Sequence, residues 1–367
     1  MVATNLEVVV DGDGHIVEDL EAISSYFPRE FVGDAAQGRS SLGRIFPPGD
    51  HLHAAQPLKV LPGSFTKPNA DGWLEFANEV GIEAAVLYPS NGLGYGHVVS
   101  RDWAIALCQA YNNWLYETYV KKSSRFKGIA LIPMQDPAAA VIELRRAVES
   151  LGFVGAMLPS TGLPLPLGDK AYWPVYEEAN RLGCAMSVHG GAHDRLGLDH
   201  MNVYAAVNAL GHPIGISVAF ASILLNGLFD KYPNAKFGFL EGGIGWMLMC
   251  VERLERAYDT HIPLDPRNEL IKLQEGETLV DYMRRQVTEG RLFVGWEGEE
   301  PLLSEAIKQL GNGFPIFSSD FPHEVNSEMC KHELHELLEN DDLTDEDKQA
   351  IMSGNAQKFY GLALARA

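Results

Sequence analysis

The stretch Asp11-Gly12-Asp13-Gly14-His15 decides between the two folds that the rest of the sequence allows. It follows a short apolar run, Glu7–Val10, which we predict to be the first strand. An open, doubly wound α/β sheet usually carries a glycine-rich dinucleotide-binding turn after its first strand. Here two carboxylates and an imidazole stand among the glycines, so the stretch favours a closed barrel over the open sheet.

Seven further apolar runs continue the pattern and alternate with segments of helical periodicity. The predicted strands are Glu83–Tyr88, Lys127–Pro133, Val154–Pro159, Ala185–His189, Lys236–Glu241, Leu292–Trp296 and Pro315–Ser319. The predicted helices between them include Trp103–Val120, Pro137–Leu151, Ala171–Leu182 and Glu300–Leu310. Eight strands separated by helices are typical of parallel βαβ repetition, so we predict an α/β protein with a TIM-type (β/α)₈ barrel.

The whole chain, residues 1–367, is predicted to form a single barrel domain. Two long insertions interrupt the alternation: residues 26–72 after the first strand, and residues 197–233 after the fifth, helical around Ser217–Phe229. Loops of this length usually cap or bind rather than fill space. The segment Thr344–Tyr360 is predicted to be a final helix packed at the barrel's edge.

The charge balance excludes several classes of partner. The chain has 29 basic and 49 acidic residues, a net charge of −20, which argues against nucleic acid and anionic membranes. It has no uninterrupted apolar run of about 18 residues and no secretory pattern at its start. The four cysteines are scattered without a CxxC pair, so we expect a cytoplasmic protein with neither nucleic acid nor membrane as partner.

Four polar side chains lie at the predicted carboxyl ends of strands, where barrels of this type carry their chemistry. Asp13 and His15 are two residues apart on one strand, so their side chains point the same way. His189 ends the fifth predicted strand, and Asp320 follows the eighth, the neighbour of the first. Imidazole and carboxylate ligands suit Zn²⁺, Mn²⁺ or Fe²⁺ and leave positions open for water or substrate. Each motif alone would fit an ordinary turn, but their joint placement predicts a metal centre formed by these four residues.

The chain resembles the amidohydrolase superfamily over nearly its whole length, from Val8 to Tyr360. The branch it resembles includes aminocarboxymuconate-semialdehyde decarboxylase and the resorcylate-type decarboxylases. Besides the strand ends, the resemblance is carried by Gly227–Phe237, Glu241–Trp246, Glu252–Leu254 and Ser319–His323. The resemblance implies a metal-dependent barrel enzyme without fixing its reaction.

Two departures from the superfamily pattern concern the metal. Most members open with HxH, and here Asp13 takes the first histidine position. An acid there resembles the Glu-first pattern of resorcylate-type decarboxylases and suits Mn²⁺ better than two imidazoles would. Members with two metals need a bridging carbamylated Lys or an acid after strand four, where this chain has Ala156–Pro159. We therefore expect one divalent ion, Zn²⁺ or Mn²⁺.

The resemblance also suggests roles for residues around the metal. The family's histidine after strand six, which helps to activate the metal-bound water, is replaced by Glu241. Together with Asp320, Glu241 is predicted to be catalytic, as a base or as a hydrogen-bond acceptor near the metal. His212, Arg195 and His323 are predicted to bind substrate. For Arg195 a plain surface position is an equal alternative, and His323 would also orient Asp320.

The leading functional hypothesis is metal-dependent decarboxylation of an aromatic or conjugated dienoic carboxylate, with Asp320 moving the proton. Hydrolysis of an amide, a lactone or a carbon–carbon bond of a ring-cleavage product would use the same ligands. A barrel that binds a ligand without turnover is the third hypothesis. Relatives are commonly dimers, so a homodimer through Val218–Phe229 is considered beside a packing of that stretch within one chain.

Overall fold

The computed structural model describes residues 8–31, 45–49, 51, 62–193, 195–267 and 269–364. At its centre lie eight parallel strands, each paired with the next along the chain. They are β1 Val9–Ile16, β2 Ile82–Pro89, β3 Phe126–Leu131, β4 Gly155–Pro159, β5 Ala185–His189, β6 Lys236–Leu240, β7 Leu292–Trp296 and β8 Pro315–Phe317. The first strand meets the segment after the last: Asp320 N–H donates to Asp13 O (3.1 Å) and His15 N–H to Phe321 O (2.7 Å). The predicted TIM-type barrel is confirmed.

The first strand is longer than predicted. The prediction placed it at Glu7–Val10 with the DGDGH stretch at its end, whereas β1 continues to Ile16 and contains the whole stretch, although glycine is a poor strand former. A Cβ on Gly12 would lie 2.2 Å from Ile316 Cγ2, and one on Gly14 would lie 2.5 Å from the Trp73 ring. Both glycines therefore permit close approaches to the strand. The predicted start, Glu7, lies outside the described residues.

Helices surround the barrel. They are α1 Leu20–Ser24, α2 Ala70–Val80, α3 Arg101–Leu115, α4 Pro137–Leu151, α5 Trp173–Leu182, α6 Tyr204–Leu225, α7 Leu228–Lys231, α8 Gly245–His261, α9 Leu279–Thr288, α10 Leu303–Leu310, α11 Ser327–Glu339, α12 Asp345–Gln349 and α13 Asn355–Tyr360. Short 3₁₀ segments cover Asn91–His97, Lys170–Tyr172, Leu198–His200 and Ile262–Leu264, and π-helical turns cover Tyr116–Val120 and Ala350–Gly354. Helix α4 has the predicted bounds, because Asp136 accepts a hydrogen bond from Ala139 N–H at its start and Gly152 ends it with φ +68°.

The segment between β5 and β6 contains the longest helix of the described part, α6. Its helical part begins at Tyr204, well before the predicted Ser217, and includes Pro213. By length and composition alone α6 is apolar enough to cross a membrane, but half of its apolar window is buried within the chain. Phe220 packs against Phe239 of β6 and Trp246 of α8, at ring-centroid distances of 5.2 and 5.4 Å. Helix α6 thus packs on the outside of the barrel like a core helix. Much of the segment between β1 and β2, by contrast, lies outside the described residues.

The last helix was predicted to pack at the barrel's edge. Its final residues instead reach inside the barrel. The Tyr360 hydroxyl on α13 lies 2.5 Å from Gly12 O and 2.8 Å from the Tyr88 hydroxyl, which itself donates to Ser187 Oγ (2.6 Å). The ring of Phe359 occupies the space that a Cβ on Gly238 of β6 would need. The carboxyl-terminal helix therefore packs against the barrel strands beneath the residues at the barrel mouth.

Candidate metal centre

The structure brings together the four side chains predicted to bind a metal. His15 Nε2 lies 3.7 Å from Asp13 Oδ1 and 3.5 Å from Asp320 Oδ1. His189 Nε2 lies 3.4 Å from Asp13 Oδ2. Two ligands bound about 2.1 Å from one ion at a tetrahedral angle would lie about 3.4 Å apart. The spacing of Asp13, His15 and His189 therefore fits a shared metal ion, and Asp320 approaches these atoms at His15.

Backbone carbonyls orient both imidazoles toward the centre. His15 Nδ1 lies 2.9 Å from Pro89 O, and His189 Nδ1 lies 2.7 Å from Gly190 O. A carbonyl only accepts, so the hydrogen-bond network assigns the ring proton to Nδ1 in both residues. Each Nε2 then carries a lone pair that points at the carboxylates. This is the usual arrangement of a metal-binding histidine and its backbone acceptor.

Three donor atoms that face the centre are buried and have no hydrogen-bond partner. They are Asp13 Oδ1, His15 Nε2 and His189 Nε2, on residues that are at most 1% exposed. An unpaired buried polar atom costs free energy, and three facing each other call for a shared partner. Although burial opposes charging of the imidazole, the facing carboxylates of Asp13 and Glu241 raise the pKa of His189 to about 9. The site thus favours positive charge at its centre, and a divalent cation fits these donors.

Asp320 stands three residues beyond β8 and is held by His323. His323 Nδ1 lies 2.7 Å from Asp320 Oδ1, and its Nε2 lies 2.8 Å from Ser90 Oγ. Burial opposes charging of His323, but the Asp320 carboxylate raises its pKa. Both ring nitrogens of His323 are engaged, so this histidine acts on Asp320 rather than as a ligand. The structure agrees here with the predicted orienting contact.

Glu241 follows β6 and faces the same centre. Its Oε2 lies 3.3 Å from His189 Nε2 and 3.4 Å from His212 Nδ1. Burial, together with the charge of Asp320, raises the pKa of Glu241 well above its usual range. Arg195, in contrast, is exposed on the loop after β5, where its backbone N–H donates to Asp199 Oδ2 (2.9 Å). The structure therefore places His212 at the centre and leaves Arg195 on the surface around it.

Two carboxyl groups near the centre were missed by the sequence analysis. Asp11 is fully buried and accepts hydrogen bonds from Asp13 N–H (3.2 Å), Ser319 N–H (3.0 Å) and Ser319 Oγ (2.7 Å). It therefore fixes the backbone of one predicted ligand and the turn that precedes Asp320. Burial raises the pKa of Asp11 to about 7.

Glu297 is the second missed group. It directly follows β7, and its buried Oε1 has no hydrogen-bond partner. Burial and the nearby carboxylate of Asp320 raise its pKa well above the usual range. Its place at a strand's carboxyl end was the available signal, and the sequence analysis did not include it among the strand-end side chains.

Comparisons with known proteins fit this geometry. The amidohydrolase family model matches residues 84–362. Gamma-resorcylate decarboxylase of Rhodococcus jostii is 30% identical over 68% of this chain and 76% of its own length. For 2-amino-3-carboxymuconate-6-semialdehyde decarboxylase of Dictyostelium discoideum the identity is 26%, over 73% of this chain and 70% of its own length.

Solved structures repeat the fold at lower identity. A 2,6-dihydroxybenzoate decarboxylase in complex with 2,6-dihydroxybenzoate superposes with a TM-score of 0.69 at 20% identity, over 97% of this chain and 99% of its own. A 5-carboxyvanillate decarboxylase of Novosphingobium aromaticivorans, complexed with manganese, gives 0.71 at 18% identity, over 97% and 96%. The family model covers most of the barrel and both strand ends that carry His189 and Asp320. The chain belongs to the amidohydrolase family.

Proposed function

We propose that this protein is a metal-dependent carboxy-lyase acting on an aromatic or conjugated dienoic carboxylate. The observation that carries the proposal is the convergence of buried, unpaired donor atoms of Asp13, His15 and His189 beside an Asp320 that is held by His323. Relatives over most of the chain are named as decarboxylases of such carboxylates. The geometry supports a metal-dependent reaction, and the names of the relatives favour decarboxylation among such reactions.

Asp13, His15, His189 and Asp320 would hold the divalent ion. An ion bound there would polarise the oxygen atoms of the substrate. Two of the four donors are carboxylates, which favours Mn²⁺ over Zn²⁺ within the Zn-or-Mn expectation. Manganese is the ion named with the carboxyvanillate decarboxylase structure.

The proton step falls to Asp320. When the bond between the substrate carbon and its carboxyl group breaks, carbon dioxide leaves and the electron pair stays on the carbon. That carbon needs a proton, which Asp320 in its protonated form would deliver while His323 holds its carboxyl group from one side; the proton that Asp320 loses would be replaced from solvent through His323. His323 in turn is fixed by Ser90. His212 and Arg195 are proposed to contact the substrate, His212 from the centre and Arg195 from the loop after β5.

Hydrolysis of an amide, a lactone or a carbon–carbon bond would need the same donors, so the test must separate the products. Purified protein loaded with Mn²⁺ is incubated with 2,6-dihydroxybenzoate and with a panel of hydroxybenzoates and semialdehyde dienoates, and carbon dioxide is measured. Release that stops in His189→Ala supports the proposal. Turnover of lactones or amides without carbon dioxide would favour the hydrolase, and tight ligand binding without turnover would favour the non-catalytic barrel.

Several wider expectations stay predictions. They are the single domain over residues 1–367, a cytoplasmic location, the absence of nucleic acid and membrane partners, and a homodimer. Sedimentation of the purified protein would decide the last of these.

A further inference from the structure

A fourth donor atom shares the environment of the three unpaired atoms described above. Glu241 Oε2 is buried and has no hydrogen-bond partner. The Asp320 oxygen that approaches His15 is instead hydrogen-bonded to His323. The unpaired donor atoms therefore include one from a residue outside the four predicted metal ligands.

We propose that Glu241 is itself a ligand of the metal ion. The inference rests on the proposed function only for the presence of a metal centre, not for the reaction. The donor set would then contain three carboxylates and two imidazoles, from Asp13, Asp320, Glu241, His15 and His189.

Carboxylate oxygens of Glu241 and Asp13 lie at nearly equal distances from His189 Nε2. Glu241 Oε2 lies 3.3 Å from His189 Nε2, and Asp13 Oδ2 lies 3.4 Å from the same nitrogen. The ligand atoms of Glu241, His15 and Asp320 also all lie within 4.8 Å of one another. His323 belongs to the same group, whereas Asp13 is grouped with His15 and His189. Glu241 can therefore share one ion with His15 and Asp320, and it reaches the group of Asp13 through His189.

The neighbouring histidine does not explain the position of Glu241. His212 Nδ1 lies 3.4 Å from Glu241 Oε2, but the two atoms do not form a hydrogen bond. A buried carboxylate oxygen that no hydrogen bond holds is stabilised by a positive charge beside it, and a metal ion bound to His189 Nε2 would supply that charge. This stabilisation distinguishes a ligand from a group that only accepts a hydrogen bond near the metal.

A third carboxylate changes the chemistry of the ion. Carboxylate oxygens are hard ligands, which suit Mn²⁺ and Mg²⁺, whereas imidazoles suit Zn²⁺. Replacement of a histidine by Glu241 at this position would shift metal preference toward Mn²⁺ and leave the loaded centre with less positive charge. The site would then bind Mn²⁺ more selectively than a centre that carries histidine there.

The test measures metal binding, not turnover. Apo-protein is titrated with Mn²⁺ and Zn²⁺ by calorimetry for wild type, Glu241→Gln, Glu241→His and the control Glu297→Gln. The control removes a neighbouring carboxyl group that also has an unpaired buried oxygen but lies outside the donor set. Loss of groups that merely support metal ligands already costs about 10- to 100-fold in affinity. Loss of a ligand should cost more than that, so we expect Glu241→Gln to lose more than about 100-fold in Mn²⁺ affinity and Glu297→Gln less than about threefold. Glu241→His should move the Mn²⁺/Zn²⁺ affinity ratio toward Zn²⁺.

Equal Mn²⁺ affinity of Glu241→Gln and wild type would overturn the proposal. Equal losses in Glu241→Gln and Glu297→Gln would also overturn it, because they would indicate only a change in the electrostatic field at the metal. A measurement on wild type covers the case in which the variants do not fold. In Mn²⁺-loaded crystals, an anomalous difference peak within about 2.5 Å of a Glu241 oxygen supports the proposal, and one beyond about 3 Å from both oxygens contradicts it. A metal that binds as expected in a protein without decarboxylase activity would overturn only the proposed function.

Discussion

Asp320 and His323 form one unit: the carboxylate Oδ1 lies 2.7 Å from the imidazole Nδ1, and Asp320 has a left-handed backbone, φ +52°. The same oxygen lies 3.5 Å from His15 Nε2. The carboxylate that faces the proposed metal ligands is thus held in place by a histidine on its other side.

Removing that histidine should lower the rate more than the metal affinity. In His323→Gln we expect kcat for carbon dioxide release to fall by about 10²- to 10⁴-fold, because the proton donor loses its orientation and its partner. Metal affinity should fall by the smaller factor of about 10- to 100-fold that is usual for a group supporting a ligand, and KM at saturating Mn²⁺ should change little. Steady-state kinetics and elemental analysis of the same preparation check this. Ser90→Ala removes only the outer hydrogen bond, and a loss in it as large as in His323→Gln would contradict the assignment.

Metal binding should stabilise the folded chain. At a free Mn²⁺ concentration about 100 times the dissociation constant, the free energy of unfolding should rise by about 2.7 kcal/mol relative to chelator-treated protein. In His189→Ala this increment should disappear. Urea denaturation with and without Mn²⁺ measures it. An undiminished increment in His189→Ala would place the ion elsewhere.

The stability of the packing between the carboxyl-terminal helix and the barrel should depend on the hydroxyl of Tyr360. Tyr360→Phe removes the hydroxyl next to Gly12 O and Tyr88, both of which are buried, so the free energy of unfolding should fall by about 1–3 kcal/mol. Tyr258→Phe, at a half-buried position on α8, is the matched control and should change stability by less than about 0.5 kcal/mol. Equal stability of the two variants would mean that the hydroxyl contacts are not needed.

Glu178 of α5, which pairs with Arg145 of α4 and Arg181 of α5, should make the free energy of unfolding depend on pH. Hydrogen bonds from Arg181 and Arg145 lower the pKa of Glu178 to about 2, from 4.5 in the unfolded chain. Because the folded pKa is the lower one, its contribution is complete above about pH 5 and is lost as the pH falls toward 2. Both arginines are half exposed, so screening should reduce the contribution to about 1–2 kcal/mol. Glu178→Gln should therefore be destabilised by this amount at pH 7. Denaturation at pH 7 and pH 3 should show the gap between the two proteins narrowing, and a constant gap would contradict the prediction.

The barrel, and the side chains that meet at its mouth, could be predicted from sequence because both depend on short-range patterns. Strand, helix and strand-end signals repeat along the chain, and the rule that chemistry lies at the carboxyl ends of barrel strands selects Asp13, His189 and Asp320 without any coordinates. Local propensity was misleading at the glycines of β1. Glycine is needed at these positions because Ile316 and Trp73, which are far away in sequence, pack directly against the β1 backbone.

The groups that were not predicted are defined by contacts across the molecule. Asp11 is important because Ser319 donates to it, and Tyr360 because its hydroxyl reaches Gly12. Nothing in the neighbouring residues records either pairing. Glu241 was found, but its unpaired buried oxygen could be recognised only once His189 and His212 were placed around it.

The seam between β1 and the segment after β8 has a consequence for how the protein is made. Ser319 and Asp11, joined there by hydrogen bonds, are 308 positions apart, so the loop that closes this contact spans most of the chain. During synthesis Asp13 and His15 emerge first and must wait for Asp320 until almost the whole polypeptide has left the ribosome. A complete metal centre can then form only late in folding, and acquisition of the ion would report that the first and last strands have met. Nascent chains that end before Asp320 should therefore bind the ion poorly, however well their helices have formed.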